Sequence, residues 1–299
     1  MSASAFNRAT PYIFLLPAAV VLAIALMYPV GYMVWASFLN WNPSQRIGEA
    51  EFVGLANYAR LLSDMQFRES LTVTLAFAAS VVSIELVLGV GLAMLLDRKI
   101  RGMSVLRTLF ILPMMIAPIV VGLMWRYMYH PTVGIFNRTL KAIGLEPVPW
   151  LSDPGWAFVS VVIADVWQWT PFIFILSLAA LQSLPSSTME AARVDGATRF
   201  QTILYVKLPL MMPVLIVTAL LRMIDAFKVL EVILVLTNGG PGLSTEILAL
   251  RISRTASEFR ELGQAAAMSN VLLLLLMALT AVMFVYSKFT EMRSRRQVA

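Results

Sequence analysis

The 299-residue sequence contains no cysteine and one histidine, His130. The first absence excludes a disulfide framework, a thiolate metal site and a cysteine nucleophile. The second leaves no His-based zinc site, and no Ser-His pairing beyond this residue, which sits beside Pro131 at the end of an apolar run. Charge is scarce as well. Only 13% of residues are charged and 59% are apolar, where a soluble domain runs at about 25% and about 45–50%. A water-soluble fold is excluded. No glycine is followed by lysine, so the chain has no G-x-x-x-x-G-K-[ST] phosphate loop and nucleotide chemistry must reside elsewhere. The formal charge of +6 would suggest nucleic acid in a soluble protein; here retention of Lys and Arg on the cytoplasmic side accounts for it, and no nucleic-acid partner is expected.

What the sequence does have is apolar runs long enough to cross a bilayer core, which takes roughly 20 residues of helix. Six are bounded by charge and by Gly/Pro clusters: Tyr12 to Phe38, Leu71 to Leu96, Val105 to Tyr129, Trp156 to Leu181, Leu210 to Leu236 and Ala267 to Phe289. They predict an all-α membrane protein of six transmembrane helices, forming a single transmembrane domain over residues 1–299. The first run exceeds the apolar core of a signal peptide, about 7–15 residues, and its Pro17, Pro29 and Gly31 predict a bent or tilted helix that is retained.

Lys and Arg near the span ends set the orientation. Arg8, Arg98, Lys99, Arg101, Arg107, Arg193, Arg199, Lys207, Lys288, Arg293, Arg295 and Arg296 fall on one side, which is therefore cytoplasmic together with both termini. Arg46, Arg60, Arg68, Arg138, Lys141, Arg251, Arg254 and Arg260 fall on the other, spread over longer loops and mostly offset by acids. Trp35, Trp41, Trp125, Tyr129, Trp150, Trp156 and Tyr286 lie near the predicted interfaces, where amphipathic rings settle among the lipid headgroups. The outer segment Thr237 to Gln264 opens with the turn run Asn238-Gly239-Gly240-Pro241-Gly242 and predicts a short helix on the outer face.

The cytoplasmic loop at about 186–209 carries two capping patterns, Ser187 with Glu190 and Thr198 with Gln201, and so predicts two short helices broken at Gly196. Read locally, the loop is either a solvated connector or a docking element. Within the spans, Glu85, Asp165 with Gln168, and the series Arg222, Asp225, Lys228, Glu231 place costly polar groups at bilayer depth. The series alternates in sign at three-residue steps, so its members are able to pair with one another, and Asp225 lies about 22 Å beyond Leu210 at ~1.5 Å per residue. Self-paired bridges, the outer end of the span, and a ligand-facing wall all fit that pattern. Pro171 frees a backbone carbonyl within the fourth span. Gly89 and Gly91 fit close helix packing, and Glu85 fits a structural role.

Glu190-Ala191-Ala192, three residues, Gly196, nine residues, Val206, one residue and Leu208-Pro209 resembles the EAA signature of ATP-binding-cassette importer permeases, with Val206 where that pattern has Ile. Pro17, Tyr28-Pro29, Phe52-Val53-Gly54-Leu55-Ala56-Asn57-Tyr58, Trp167 with Pro171-Phe172, Asp195-Gly196-Ala197 and Leu236-Thr237-Asn238-Gly239-Gly240-Pro241 are similar to the maltose-type, MalF-like branch for carbohydrate uptake. The resemblance implies a multi-pass subunit of the bacterial inner membrane in contact with membrane lipids. It implies three kinds of partner: a second, MalG-like permease, a homodimeric cytoplasmic ATPase and an extracytoplasmic sugar-binding protein. It also implies a chain without catalytic residues or cofactor of its own, ATP and Mg being bound by the partner ATPase. Glu190, Ala191, Ala192, Asp195, Gly196, Leu208 and Pro209 would couple to that ATPase, and Asp165, Gln168, Trp169 and Phe172 would hold a sugar or polyol, with Arg222 and Asp225 opposite.

An anionic substrate such as glycerol phosphate or a sulfosugar is the second reading of the site, and a self-contained ion-coupled carrier the third, though the latter leaves the EAA loop unexplained. The topology is directly testable in a cysteine-free chain. Single cysteines at Arg60, Lys141 and Arg254 are expected to react with a membrane-impermeant thiol reagent in cells whose outer barrier has been opened, and those at Arg101, Arg199 and Arg295 are not. Labelling of the second set would overturn the six-span arrangement.

Overall fold

The computed structural model describes residues 3–97 and 102–298. Of the basic residues that orient the chain, Arg98, Lys99 and Arg101 lie outside the described residues, as do the side chains of Arg8, Tyr286, Lys288, Arg293, Arg295 and Arg296. Thirteen helices are described in order: α1 (Ala3–Ala36), α2 (Ala56–Ser63), α3 (Met65–Leu96), α4 (Met103–Ile111), α5 (Pro118–Met128), α6 (Ile135–Ala142), α7 (Pro154–Gln182), α8 (Ser186–Val194), α9 (Arg199–Thr202), α10 (Leu208–Lys228), α11 (Glu231–Leu236), α12 (Leu248–Ser257) and α13 (Leu262–Val298). A π-helical turn, Ile203–Lys207, runs α9 into α10. Five helical segments are long and apolar enough to cross a membrane, and a bent pair makes a sixth.

The first span is one helix, α1, that runs through Pro17, Pro29 and Gly31. Two expectations change. The third span, read as continuous over Val105 to Tyr129, is instead broken: the segments Ser104–Met115 and Pro118–Met128 differ in direction by 96°. Pro113 and Pro118 supply no backbone N–H, and Ile116 between them is extended at φ −81°, ψ 134°, so the helical ladder ends there. The fifth stops at Lys228 rather than Leu236: Val229 takes ψ 129° and the chain restarts as the six-residue α11. The outer helix expected between Thr237 and Gln264 is α12.

The chain divides into two compact units, 1–64 with 252–274, and 65–251 with 275–299. In the first, a short antiparallel pair, β1 (Leu39–Asn40) with β2 (Glu51–Phe52), follows α1. Asn57 on α2 is buried, and its amide donates to the carbonyls of Ser37 (2.9 Å) and Leu39 (3.0 Å). These bonds satisfy backbone acceptors left free where α1 ends. Between Phe14 and Trp35, α1 has no buried residue.

The second unit is built on α3 crossing α7, with α10 packed on both. The crossing is close because Gly89 has no side chain: a Cβ there would lie 2.8 Å from Ile173 Cγ2 and 3.0 Å from the Phe174 backbone nitrogen. The start of α7 is set by Asp153, whose carboxylate accepts the Trp156 N–H at 3.0 Å, and by Pro154 at the first helical position. Beside α5, the rings of Trp125, Tyr129, Phe136 and Trp150 form a cluster with centroids 5.2–5.8 Å apart. Asn137 braces it, accepting from Trp150 Nε1 and the Val148 N–H, both at 3.0 Å.

Gly89→Ala is therefore expected to overpack the crossing of α3 and α7 and cost about 1–3 kcal/mol. Gly91→Ala, where a Cβ meets nothing within 4 Å, serves as the control. Thermal denaturation of the purified chain checks this, the Gly89 variant melting lower and the Gly91 variant unchanged or higher.

Candidate functional site

A charge within a bilayer is tolerated where protein neutralises it, and the second unit does so around Arg222. Arg222 on α10 donates from Nε to Glu85 Oε2 at 2.7 Å, from Nη2 to Glu85 Oε1 at 3.0 Å, and from Nη2 also to Asp165 Oδ2. The Glu85 contact is the fork geometry in which a guanidinium matches a carboxylate. Glu85 and Asp165 are 0% exposed and Arg222 1%, so α3, α7 and α10 are joined through three fully buried charges. The guanidinium carbon lies 5.3 Å from the centroid of the Trp169 ring, a cation–π distance.

Gln168, the next residue on that face of α7, donates Nε2 to the Ile116 carbonyl at 3.0 Å. That carbonyl belongs to the break between α4 and α5, where the Val120 N–H donates to Ala117 O instead, so a side chain supplies the donor that Ile116 O lacks. Asp165 Oδ1 and Gln168 Oε1 accept no hydrogen bond from the described residues. Trp169 and Phe172 are half-buried, and Asp225 is exposed. Of the six residues nominated to face a substrate, three are thus engaged in buried contacts, two stand at the edge and one is outside.

The pairing expected within the series Arg222, Asp225, Lys228, Glu231 is corrected accordingly. Only Asp225 and Lys228 meet, at 3.3 Å with 48% and 56% of their side chains exposed. Glu231 opens α11. Arg222 turns away from its own helix because two carboxylates in a dry interior offer it a far stronger field than one in contact with solvent. Sequence reasoning gave Glu85 a structural role and did not join it to Arg222. The signal was present: Glu85 and Asp165 sit deep in apolar runs, and Arg222 is the base at comparable depth.

The loop between α7 and α10 is built from helix-end rules. The Thr198–Gln201 box forms, Thr198 N–H donating to Gln201 Oε1 at 2.8 Å and Gln201 N–H to Thr198 Oγ1 at 3.3 Å. The Ser187–Glu190 box does not, because it would need Ser187 as the cap, whereas α8 starts two residues earlier, at Ser186, with extended Pro185 as its cap. Glu190 is exposed and free of any capping role. At the far end of α8, the Gly196 N–H donates to Arg193 O and the Ala197 N–H to Ala192 O, with Gly196 at φ +76°. This is a Schellman reversal, in which the left-handed position favours glycine. Ala192 is buried, Ala191 and Asp195 are exposed, and Leu208 and Pro209 begin α10. Val194 is 87% exposed and Phe200 71%.

Removing Arg222 strands two carboxylates at once. Arg222→Leu is expected to cost about 3–5 kcal/mol and to collapse the yield of folded protein. Asp225→Ala, which removes half of an exposed pair, should stay within about 1 kcal/mol. Membrane yield and thermal denaturation of the two variants check this, and equal behaviour would show that the buried cluster does not hold the helices.

Residues 85–296 match the family described as binding-protein-dependent transport system inner membrane component. The trehalose/maltose transport system permease protein MalF of Thermococcus litoralis is 38% identical over 278 residues, 93% of each chain. The sulfoquinovosyl glycerol transport system permease protein SmoG of Agrobacterium fabrum is 32% identical over 276 residues, 92% of this chain and 89% of that one. The sn-glycerol-3-phosphate transport system permease protein UgpA of Yersinia enterocolitica is 34% identical over 293 residues, 96% of each. The fold is shared with a chain in the crystal structure of a bacterial alginate ABC transporter in complex with alginate pentasaccharide-bound periplasmic protein, at a TM-score of 0.79 and 23% identity over 98% of this chain and 96% of that one. The chain accordingly belongs to the family of binding-protein-dependent transport system inner membrane components, as a membrane-spanning permease of the ATP-binding-cassette importer class.

Proposed function

We propose that this permease pairs with a second, MalG-like permease to enclose an alternating-access path for a neutral sugar or polyol. A homodimeric cytoplasmic ATPase binding ATP and Mg drives it, and an extracytoplasmic binding protein supplies the substrate. The observation that carries this reading is the α8–α9 projection. It presents an exposed carboxylate at Glu190 and solvent-facing apolar side chains at Val194 and Phe200, on two helices tied by a hydrogen-bonded reversal. Apolar groups held out in this way call for a protein surface to cover them. Glu190 offers a charge-assisted bond to a basic residue of the ATPase, and Ala191 and Ala192 let its backbone approach closely.

Relatives named for trehalose/maltose on one side, and for sulfoquinovosyl glycerol and sn-glycerol-3-phosphate on the other, leave the substrate's charge as the point to argue. The buried cluster favours a neutral one. Arg222 lies between two acidic side chains that already engage its guanidinium, so its charge is compensated within the protein and is not held out to a phosphate or sulfonate. Trp169 and Phe172, half-buried beside it, offer aromatic faces to the C–H side of a sugar ring, and Asp225 a carboxylate to its hydroxyls. Asp165, Gln168 and Arg222 support that wall from behind.

Glu190→Lys reverses the charge offered to the ATPase, and Gly196→Pro removes both the N–H bonded to Arg193 O and access to positive φ. Both variants are expected to insert into the membrane at the normal level and to lose uptake in the assembled transporter. Normal uptake by both would overturn the coupling role.

A further inference from the structure

The cluster at Arg222 contains one more carboxylate than neutralisation requires. Asp165 alone would balance the guanidinium, yet Glu85 takes two of its N–H groups. Charge balance therefore does not account for Glu85. What Glu85 adds is direction. A guanidinium held by Asp165 alone is free to swing about that contact. Gripped through Nε and Nη2 by Glu85 from α3 and through Nη2 by Asp165 from α7, its plane is fixed, and the face so fixed lies 5.3 Å from the Trp169 ring. Trp169 is the half-buried residue at the edge of an otherwise sealed cluster.

We infer that Glu85 is a positioning residue for substrate passage: acting through Arg222, it fixes the orientation in which the Trp169 ring faces the transport path. The inference rests on the reading of Trp169 as part of that path. Glu85 is the group to test because its loss leaves no stranded charge. In Glu85→Gln, Arg222 keeps Asp165 and the cluster becomes formally neutral, so folding is preserved. The amide, however, has one acceptor oxygen where the carboxylate has two, and its NH2 opposes a guanidinium N–H. The grip is lost while the neutralisation remains.

The experiment uses the complete transporter reconstituted in lipid nanodiscs, with 5-fluorotryptophan in place of the seven tryptophans of this chain. The Trp169 resonance is assigned by its loss in Trp169→Leu. Glu85→Gln is expected to move that resonance and leave those of Trp150 and Trp156, which pack on each other, unchanged. Glu85→Asp, which keeps both oxygens, should return it part of the way. An unmoved Trp169 resonance, or a shift of all resonances together with a lowered melting temperature, overturns the inference.

Uptake into proteoliposomes separates this from the path reading, using maltose, trehalose and sn-glycerol 3-phosphate as probes. KM is expected to rise about threefold or more in both Glu85→Gln and Trp169→Leu, as for the loss of one cation–π contact. The double variant should be no worse than the single ones, because both act through one ring. A raised KM in Trp169→Leu alone overturns the role of Glu85 and leaves the path intact. A shifted resonance with KM unchanged in both variants overturns the path, and with it any part for Glu85 in passage.

Discussion

A guanidinium in a layer with no water to solvate it has to be neutralised by the protein around it, and the second unit is organised by that requirement. The partners of Arg222 come from α3 and α7, so the three helices cannot slide or rotate against one another without uncovering charge. Apolar packing between helices in lipid has little of the driving force it has in water, since the lipid tails are as apolar as the side chains. Directional contacts therefore carry more of the specificity. Gly89 belongs to the same logic, because the approach of α3 to α7 that it permits accompanies the contact between Glu85 and Arg222.

The break between α4 and α5 shows a second polar constraint met in the same place. A carbonyl at bilayer depth without a helical partner is expensive, and Gln168 satisfies it from α7, one turn from Asp165. One face of α7 thus anchors α10 through charge and the broken span through an amide. The ring of Trp169 stands 5.3 Å from the guanidinium carbon, so it packs on a group held from α3 and α7.

The spans and the coupling loop were legible in the sequence because each depends on local rules. Length and apolarity mark a membrane helix, and Gly196 followed by Thr198 and Gln201 marks a reversal and a new helix start. The break at Pro113 and Pro118 was not legible, since two apolar half-helices have the same composition as one span. The end of α10 at Lys228 was obscured in the same way by the apolar stretch that continues to Leu236. The partners of Arg222 were left open because spacing along one helix is visible in a sequence, whereas the approach of three helices is not. Ser187 and Glu190 had the spacing of a capping box, but Pro185 in its extended conformation starts α8 two residues too early for the box to close.

The bond between Glu85 and Arg222 spans 137 residues, and that separation is also an interval of time. At a synthesis rate of about 5–20 residues per second, roughly 7 to 27 seconds pass between the making of the acid and the making of its base. Asp165 appears within that interval and adds a second negative charge without relieving the first. During biogenesis α3 therefore enters the membrane carrying an uncompensated carboxyl group that its surroundings, whether the insertion machinery or the headgroup layer, must shelter. With Phe14 to Trp35 unburied, α1 has no such dependence on later parts of the chain and is free to partition on its own. Only with the completion of α10 do the acids of α3 and α7 meet their guanidinium partner.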